Sequence, residues 1–84
     1  MQLQPGLYRH YKGPHYRVFG TARHSETEEW LVVYQALYGD YGLWVRPLEM
    51  FRGTVEVEGE TVPRFALIEA ESALIGQDAA GARA

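Results

Sequence analysis

The chain contains no cysteine. Disulfides and thiolate metal sites are therefore excluded as supports, and a reducing cytoplasm is the expected compartment. The chain also lacks a basic excess: 8 Lys and Arg stand against 11 Asp and Glu, a formal net charge of -3. Nonspecific nucleic-acid binding runs on phosphate neutralisation, and this balance argues against it. No apolar run approaches the ~20 residues that cross a bilayer, so no membrane partner is expected. The opening "MQLQPGLYRH" has neither a basic start nor an apolar stretch, so no signal peptide is expected. A nucleophile elbow, a Gly-rich phosphate loop and an H-E-x-x-H pair are missing too.

What is present is aromatic. Six Tyr, two Trp and three Phe occur in 84 residues. That length is one domain with a modest core. Aromatic rings fill small cores, and Tyr and Trp also favour contact surfaces.

Turn residues punctuate the chain about every ten positions, and the segments between them alternate. Leu7–Tyr11 reads as a strand, Lys12-Gly13-Pro14 as a turn, and His15–Arg23 as the second arm of a hairpin. Period two places Tyr16, Val18, Gly20 and Ala22 on one face, with Arg17, Phe19, Thr21 and Arg23 on the other. Gly20 marks a bulge or sharp bend. Trp30–Tyr38 is a central strand, rich in β-branched and aromatic residues. Leu43–Arg46 follows the turn at Gly39–Gly42, and Pro47 ends it or sets it at an edge. A helical turn is expected over Pro47–Phe51, with Met50 and Phe51 under the sheet. Thr54–Val57 and Thr61–Ile68 form a hairpin about Glu58-Gly59-Glu60.

The expected fold is mainly β: a small SH3-like barrel or roll of five to six short antiparallel strands, with that one helical turn. A twisted open sheet carrying a C-terminal helix is the alternative. The β domain is expected over residues 1–68. Over 69–84 a short helix at Glu69–Leu74 or a flexible, disordered tail follows.

Two clusters carry the functional candidates. The first is the polar run His24-Ser25-Glu26-Thr27-Glu28-Glu29. Its plain reading is a turn in which Ser25 and Glu28 form an S-x-x-E capping box. Its chemical reading needs a base within reach of a nucleophile, yet neighbouring side chains in extended chain point apart. A zinc-type site would need His10, His15, His24 and Glu26 to converge; His10, His24 and Glu26 are the metal candidates. The second cluster is aromatic and basic: Tyr8, Tyr34, Tyr38, Tyr41, Trp44 and Arg46 as the lining of one groove. Arg pairs with carboxylate or phosphate, and rings stack bases or prolines. The plain reading makes the rings core, and pairs Arg46 with Asp40 or Glu49 as a surface ion pair.

The motifs "HYKG" at His10–Gly13, "HSET" at His24–Thr27, "VVY" at Val32–Tyr34, "WVRP" at Trp44–Pro47 and "MF" at Met50–Phe51 occur in that order. This pattern resembles the bacterial domain of unknown function 1653 family, from about Gly6 to Phe65. The resemblance implies a stand-alone bacterial cytoplasmic domain and supplies no catalytic residue. It adds weight to a functional use of His24 and Glu26.

The function expected is a non-enzymatic binding module for a small anionic ligand, a nucleotide or a peptide. Its candidate site is Lys12, His24, Ser25, Glu26, Thr27, Tyr34, Trp44 and Arg46, with no cofactor. The alternatives are a small His/Glu-dependent hydrolase or metal enzyme using His10, His24 and Glu26, and a structural homodimer formed through the aromatic face. The partner is a small ligand or another protein.

Overall fold

The computed structural model describes residues 3–72. Its elements are β1 (Gly6–His10), β2 (His15–Arg23), β3 (Trp30–Ala36), β4 (Leu43–Pro47), α1 (Leu48–Phe51), β5 (Thr54–Val57), β6 (Glu60–Pro63) and β7 (Phe65–Ala70). Five strands form one antiparallel sheet in the order β4-β3-β2-β1-β7, and β5 and β6 form a separate hairpin.

The bulge expected at Gly20 is present: the β2–β3 register slips between Val18 and Gly20. One extra residue turns every following side chain to the other face. Val18 pairs with Tyr34 and Thr21 pairs with Val32, so Val18 and Thr21 share the buried face. The assignment of Thr21 to the face opposite Val18 is thereby corrected. Uninterrupted period two fails where a glycine inserts.

Tyr8, Val18, Val32, Tyr34, Leu48, Phe51 and Phe65 make the core. The helical turn lies where expected, and Leu48 and Phe51 are its buried residues. Met50, expected beneath the sheet, is half exposed; a single turn can aim only one side of itself at the core. Phe51 stacks on Phe65 with ring centres 4.0 Å apart, and meets Tyr8 edge-on at 5.4 Å. The sheet thus curls around α1.

The curl does not close into a barrel. β4 and β7 are the two sheet edges and are not hydrogen-bonded to each other. The expected barrel becomes an open, curled sheet plus a hairpin, with seven strands rather than five or six among the described residues. The extra strand comes from a break in the expected Thr61–Ile68 strand. Arg64 donates its N–H to the Gly53 carbonyl (3.0 Å) and accepts the Tyr11 N–H (2.9 Å). Its backbone is therefore diverted out of the ladder, and the chain changes sheets there.

Other boundaries also move: β1 is Gly6–His10 rather than Leu7–Tyr11, β6 starts at Glu60 rather than Thr61, and the larger changes fall at β3 and β7. β3 stops at Ala36 rather than Tyr38, ahead of a turn with Gly39 and Tyr41 at positive φ. β7 runs to Ala70, so residues 69 and 70 are strand and not the start of a helix. Pairing Leu7 with Glu69 and Gly6 with Ala70 supplies cross-strand partners that a short, isolated helix could not match. The remainder of the expected tail, over 73–84, lies outside the described residues.

Candidate functional site

A cleft of about 290 Å³ opens on the concave face, where β2, β3 and β4 meet the β3–β4 turn. Ladder pairing builds it. Tyr16 on β2 faces Ala36 on β3, and Tyr34 on β3 faces Trp44 on β4. The small Ala36 side chain leaves the hollow, and the surrounding rings wall it. Tyr16 meets Tyr34 and Tyr38 edge-on, at 5.4 and 5.7 Å.

The polar floor is ordered. The Tyr16 and Tyr38 hydroxyls are hydrogen-bonded at 2.9 Å. Burial, then the Tyr38 hydroxyl, push the Tyr16 phenol up to about 12. Arg46 donates from Nε to the Tyr34 hydroxyl at 3.3 Å, and its guanidinium lies 5.6 Å from the Phe65 ring centre. Trp44 stands largely exposed at the rim. A Cβ on Gly42 would lie 3.4 Å from the indole Nε1 and 3.5 Å from an Asp40 carboxylate oxygen. Both are ordinary contact distances, so the indole's place over the turn does not depend on a glycine there.

Cations gather at this end, although the Asp40 carboxylate lines the cleft itself. His10 contacts Phe65 and Tyr16 with ring centres 4.9 and 6.4 Å apart. Its pKa is lowered by burial, then by the cations Arg64, Arg46 and Lys12. Its Nδ1 accepts the Lys12 N–H at 3.1 Å. Among the described residues the ion pairs are Arg17 with Glu71 and Arg23 with Glu28. Arg46 therefore has no carboxylate at ion-pairing distance there, which corrects the expected pairing with Asp40 or Glu49.

Of the expected site residues, the fold brings Tyr34, Trp44 and Arg46 together. Lys12 lies at the same end, close enough to act on His10, but it does not line the cleft. Tyr38 lines the cleft as expected. Tyr41 is exposed outside it, and Tyr8 is core.

His24, Ser25, Glu26 and Thr27 are elsewhere. They form the β2–β3 turn, beside the Arg23–Trp30 pair. Trp30 precedes Tyr34 by four positions on β3, roughly 13 Å at ~3.3 Å per residue. The run caps itself. His24 Nδ1 accepts the Glu26 and Thr27 N–H groups at 3.0 and 3.3 Å. The Thr27 hydroxyl donates to the Glu29 carboxylate and accepts the Glu29 N–H. The capping device is therefore His24 and not a Ser25–Glu28 box; Glu28 sits at φ 64° and pairs with Arg23. His10 and His24 flank opposite ends of the nine-residue β2. Consistent with that separation, no three His, Asp or Glu among the described residues gather as a metal site.

Sequence reasoning missed Tyr16 and Asp40 as lining residues. The usable signal was Ala36, a small residue flanked by aromatics in a strand.

A family model described as "Protein of unknown function (DUF1653)" matches residues 6–67. A crystal structure of a DUF1653 protein from Bordetella bronchiseptica superposes with a TM-score of 0.75. It is 42% identical, over 83% of this chain and 92% of that one. The comparison with curated proteins finds no match. With most of its length under the family model and a relative 42% identical over 83% of it, this chain belongs to the DUF1653 family.

Proposed function

We propose that this chain is a non-enzymatic binding module whose cleft takes a small planar anion, such as a nucleotide. The observation that carries the reading is Arg46. Its guanidinium is positioned by the Tyr34 hydroxyl and the Phe65 ring, and no carboxylate occupies it among the described residues. A charge-assisted, bidentate contact to phosphate or carboxylate is the natural use of such a group. Lys12 and Arg64 near His10 add positive potential at the same end. Trp44 and the tyrosines offer ring faces on which a planar ligand stacks.

The chemistry favours binding over catalysis. The Tyr16 hydroxyl, pushed up to about 12, keeps its proton at neutral pH and cannot act there as a base. His24 spends its Nδ1 on its own turn, so it serves the hairpin. The curl of the sheet supports the further reading of an SH3-like roll. The lack of cysteine supports placement in a bacterial cytoplasm. Among the described residues, no helix is long and apolar enough to cross a membrane.

The test is amide chemical-shift mapping of the labelled protein against nucleotides, inorganic phosphate and short anionic peptides. Shifts should cluster on Tyr16, Tyr38, Trp44 and Arg46. Arg46→Gln should weaken binding about 10- to 100-fold, the ~1.5–3 kcal/mol of a hydrogen bond to a charged group. Substituting His24 should leave affinity unchanged. Shifts centred on His24–Thr27, or equal binding by Arg46→Gln, would sink the site.

A further inference from the structure

β4 ends the sheet, and no described strand pairs with its outer side. Leu43, Trp44 and Val45 are 66, 58 and 57% exposed in succession. Consecutive strand residues point to opposite faces, so this edge is open above, below and sideways. A bare apolar edge is a template for strand addition.

The backbone parity of β4 can be read off. The Ala36 N–H donates to the Gly42 carbonyl, and the ladder continues through Tyr34–Trp44 to Val32–Arg46. Bonded and non-bonded pairs alternate in an antiparallel ladder. Trp44 and Arg46 therefore spend their backbone groups on β3, while Leu43, Val45 and Pro47 point theirs outward. The one missing N–H, at Pro47, falls on the outward side, where it removes nothing from the β3–β4 ladder.

We infer that the free edge of β4 is a self-association surface, on which a second copy of this chain adds as an antiparallel strand across a two-fold axis at Val45. The strand is complementary to itself in this register. Val45 exchanges both backbone hydrogen bonds with the partner's Val45. Leu43 donates its N–H to the carbonyl of the partner's Pro47, a pairing that asks nothing of the absent proline N–H. On the concave face Trp44 stands opposite the partner's Arg46, whose guanidinium is turned inward to Tyr34 and Phe65, so no like charges meet across the seam. On the other face Val45 meets the partner's Val45 and Leu43 meets the partner's Pro47. Half-buried Leu31 and Val33 lie alongside and extend the apolar surface. The opposite edge, β7, also exposes Leu67 and Ile68, at 46 and 50%, but it carries Glu69 and adjoins Glu71, acidic groups of the kind that guard an edge.

The test is sedimentation equilibrium over a wide concentration range, with hydrogen exchange at single amides. The wild type should double its mass as concentration rises. In the dimer the Leu43 and Val45 amides should become protected, and dilution should remove that protection. The Trp44 and Arg46 amides should stay protected in both forms. Val45→Pro deletes the outward N–H without touching the β3–β4 ladder, and should abolish dimerisation while amide shift dispersion is retained. With no native cysteine, Val45→Cys should cross-link to itself, since bonded cross-strand partners sit ~5.5 Å apart at Cα, within disulfide reach. A monomer at every concentration overturns the inference. So does a dimer that survives Val45→Pro, or protection of Val45 that appears only when a foreign peptide is added. Val45 points away from the ligand cleft, so ligand binding by Val45→Pro reports on the cleft separately.

Discussion

At the scale of single residues, Thr21 is the anomaly of the core. Its side chain is buried, and its hydroxyl has no hydrogen-bond partner among the described residues. A buried polar group without a partner keeps its desolvation cost and returns nothing. Thr21→Val has nearly the same shape and removes the hydroxyl. Chemical denaturation should therefore show stability unchanged or raised by about 1 kcal/mol; a loss of that size would reveal a partner for the hydroxyl. The residue also marks where sequence reading stops. Alternation along His15–Arg23 assigned it to the wrong face, because the Gly20 bulge was legible but its side in the register was not. Tyr34, Trp44 and Arg46 were legible as one aromatic–basic set. Tyr16 was not, because its place in the cleft depends on which residue stands across from it.

At the scale of elements, the joint between β1 and β7 leaves no room for a side chain at Gly6. Gly6 sits at φ +143°, and a Cβ there would come within 2.1 Å of the Glu69 carbonyl oxygen. The backbone cannot yield without breaking the pairing that anchors β7. Gly6→Ala should destabilise the domain by about 1–3 kcal/mol through overpacking, with backbone strain added. A urea midpoint equal to wild type would contradict the close approach. Strand existence was legible because glycine or proline punctuates the turns at 12–14, 39–42 and 58–60, and the polar run 24–29 marks the remaining hairpin. The boundaries that failed are those set at a distance: Arg64 is pulled from its strand by Gly53 and Tyr11, and residues 69–70 are held in theirs by Gly6 and Leu7. The "HSET" run was misplaced for a like reason. A nine-residue strand sets His15 and Arg23 at opposite ends of the sheet, and no local pattern says which end hosts the cleft.

At the scale of the whole molecule, His10 couples stability to pH. Its folded pKa is lowered from 6.5, first by burial and then by Arg64, Arg46 and Lys12. The unfolded chain therefore takes up this proton at a higher pH than the folded one. Its contribution is present in full above about 6.5 and is lost as pH falls through the folded value. Unfolding midpoints should drop as pH decreases below 6.5, and His10→Gln should flatten that slope relative to wild type. An equal slope in both would remove His10 as the cause. A bound anion near Arg46 would offset the same cations, so ligand should reduce the pH dependence as well.

The β5–β6 hairpin hangs from the curled sheet near the diverted Arg64 backbone, and its tip at Glu58-Gly59 is exposed. Both its strands pair only with each other, and none of its residues is buried. The hairpin is therefore the part of this small domain that evolution or an engineer can lengthen, exchange or load with a foreign loop at the least cost to the core, while the cleft and the β4 edge stay as they are.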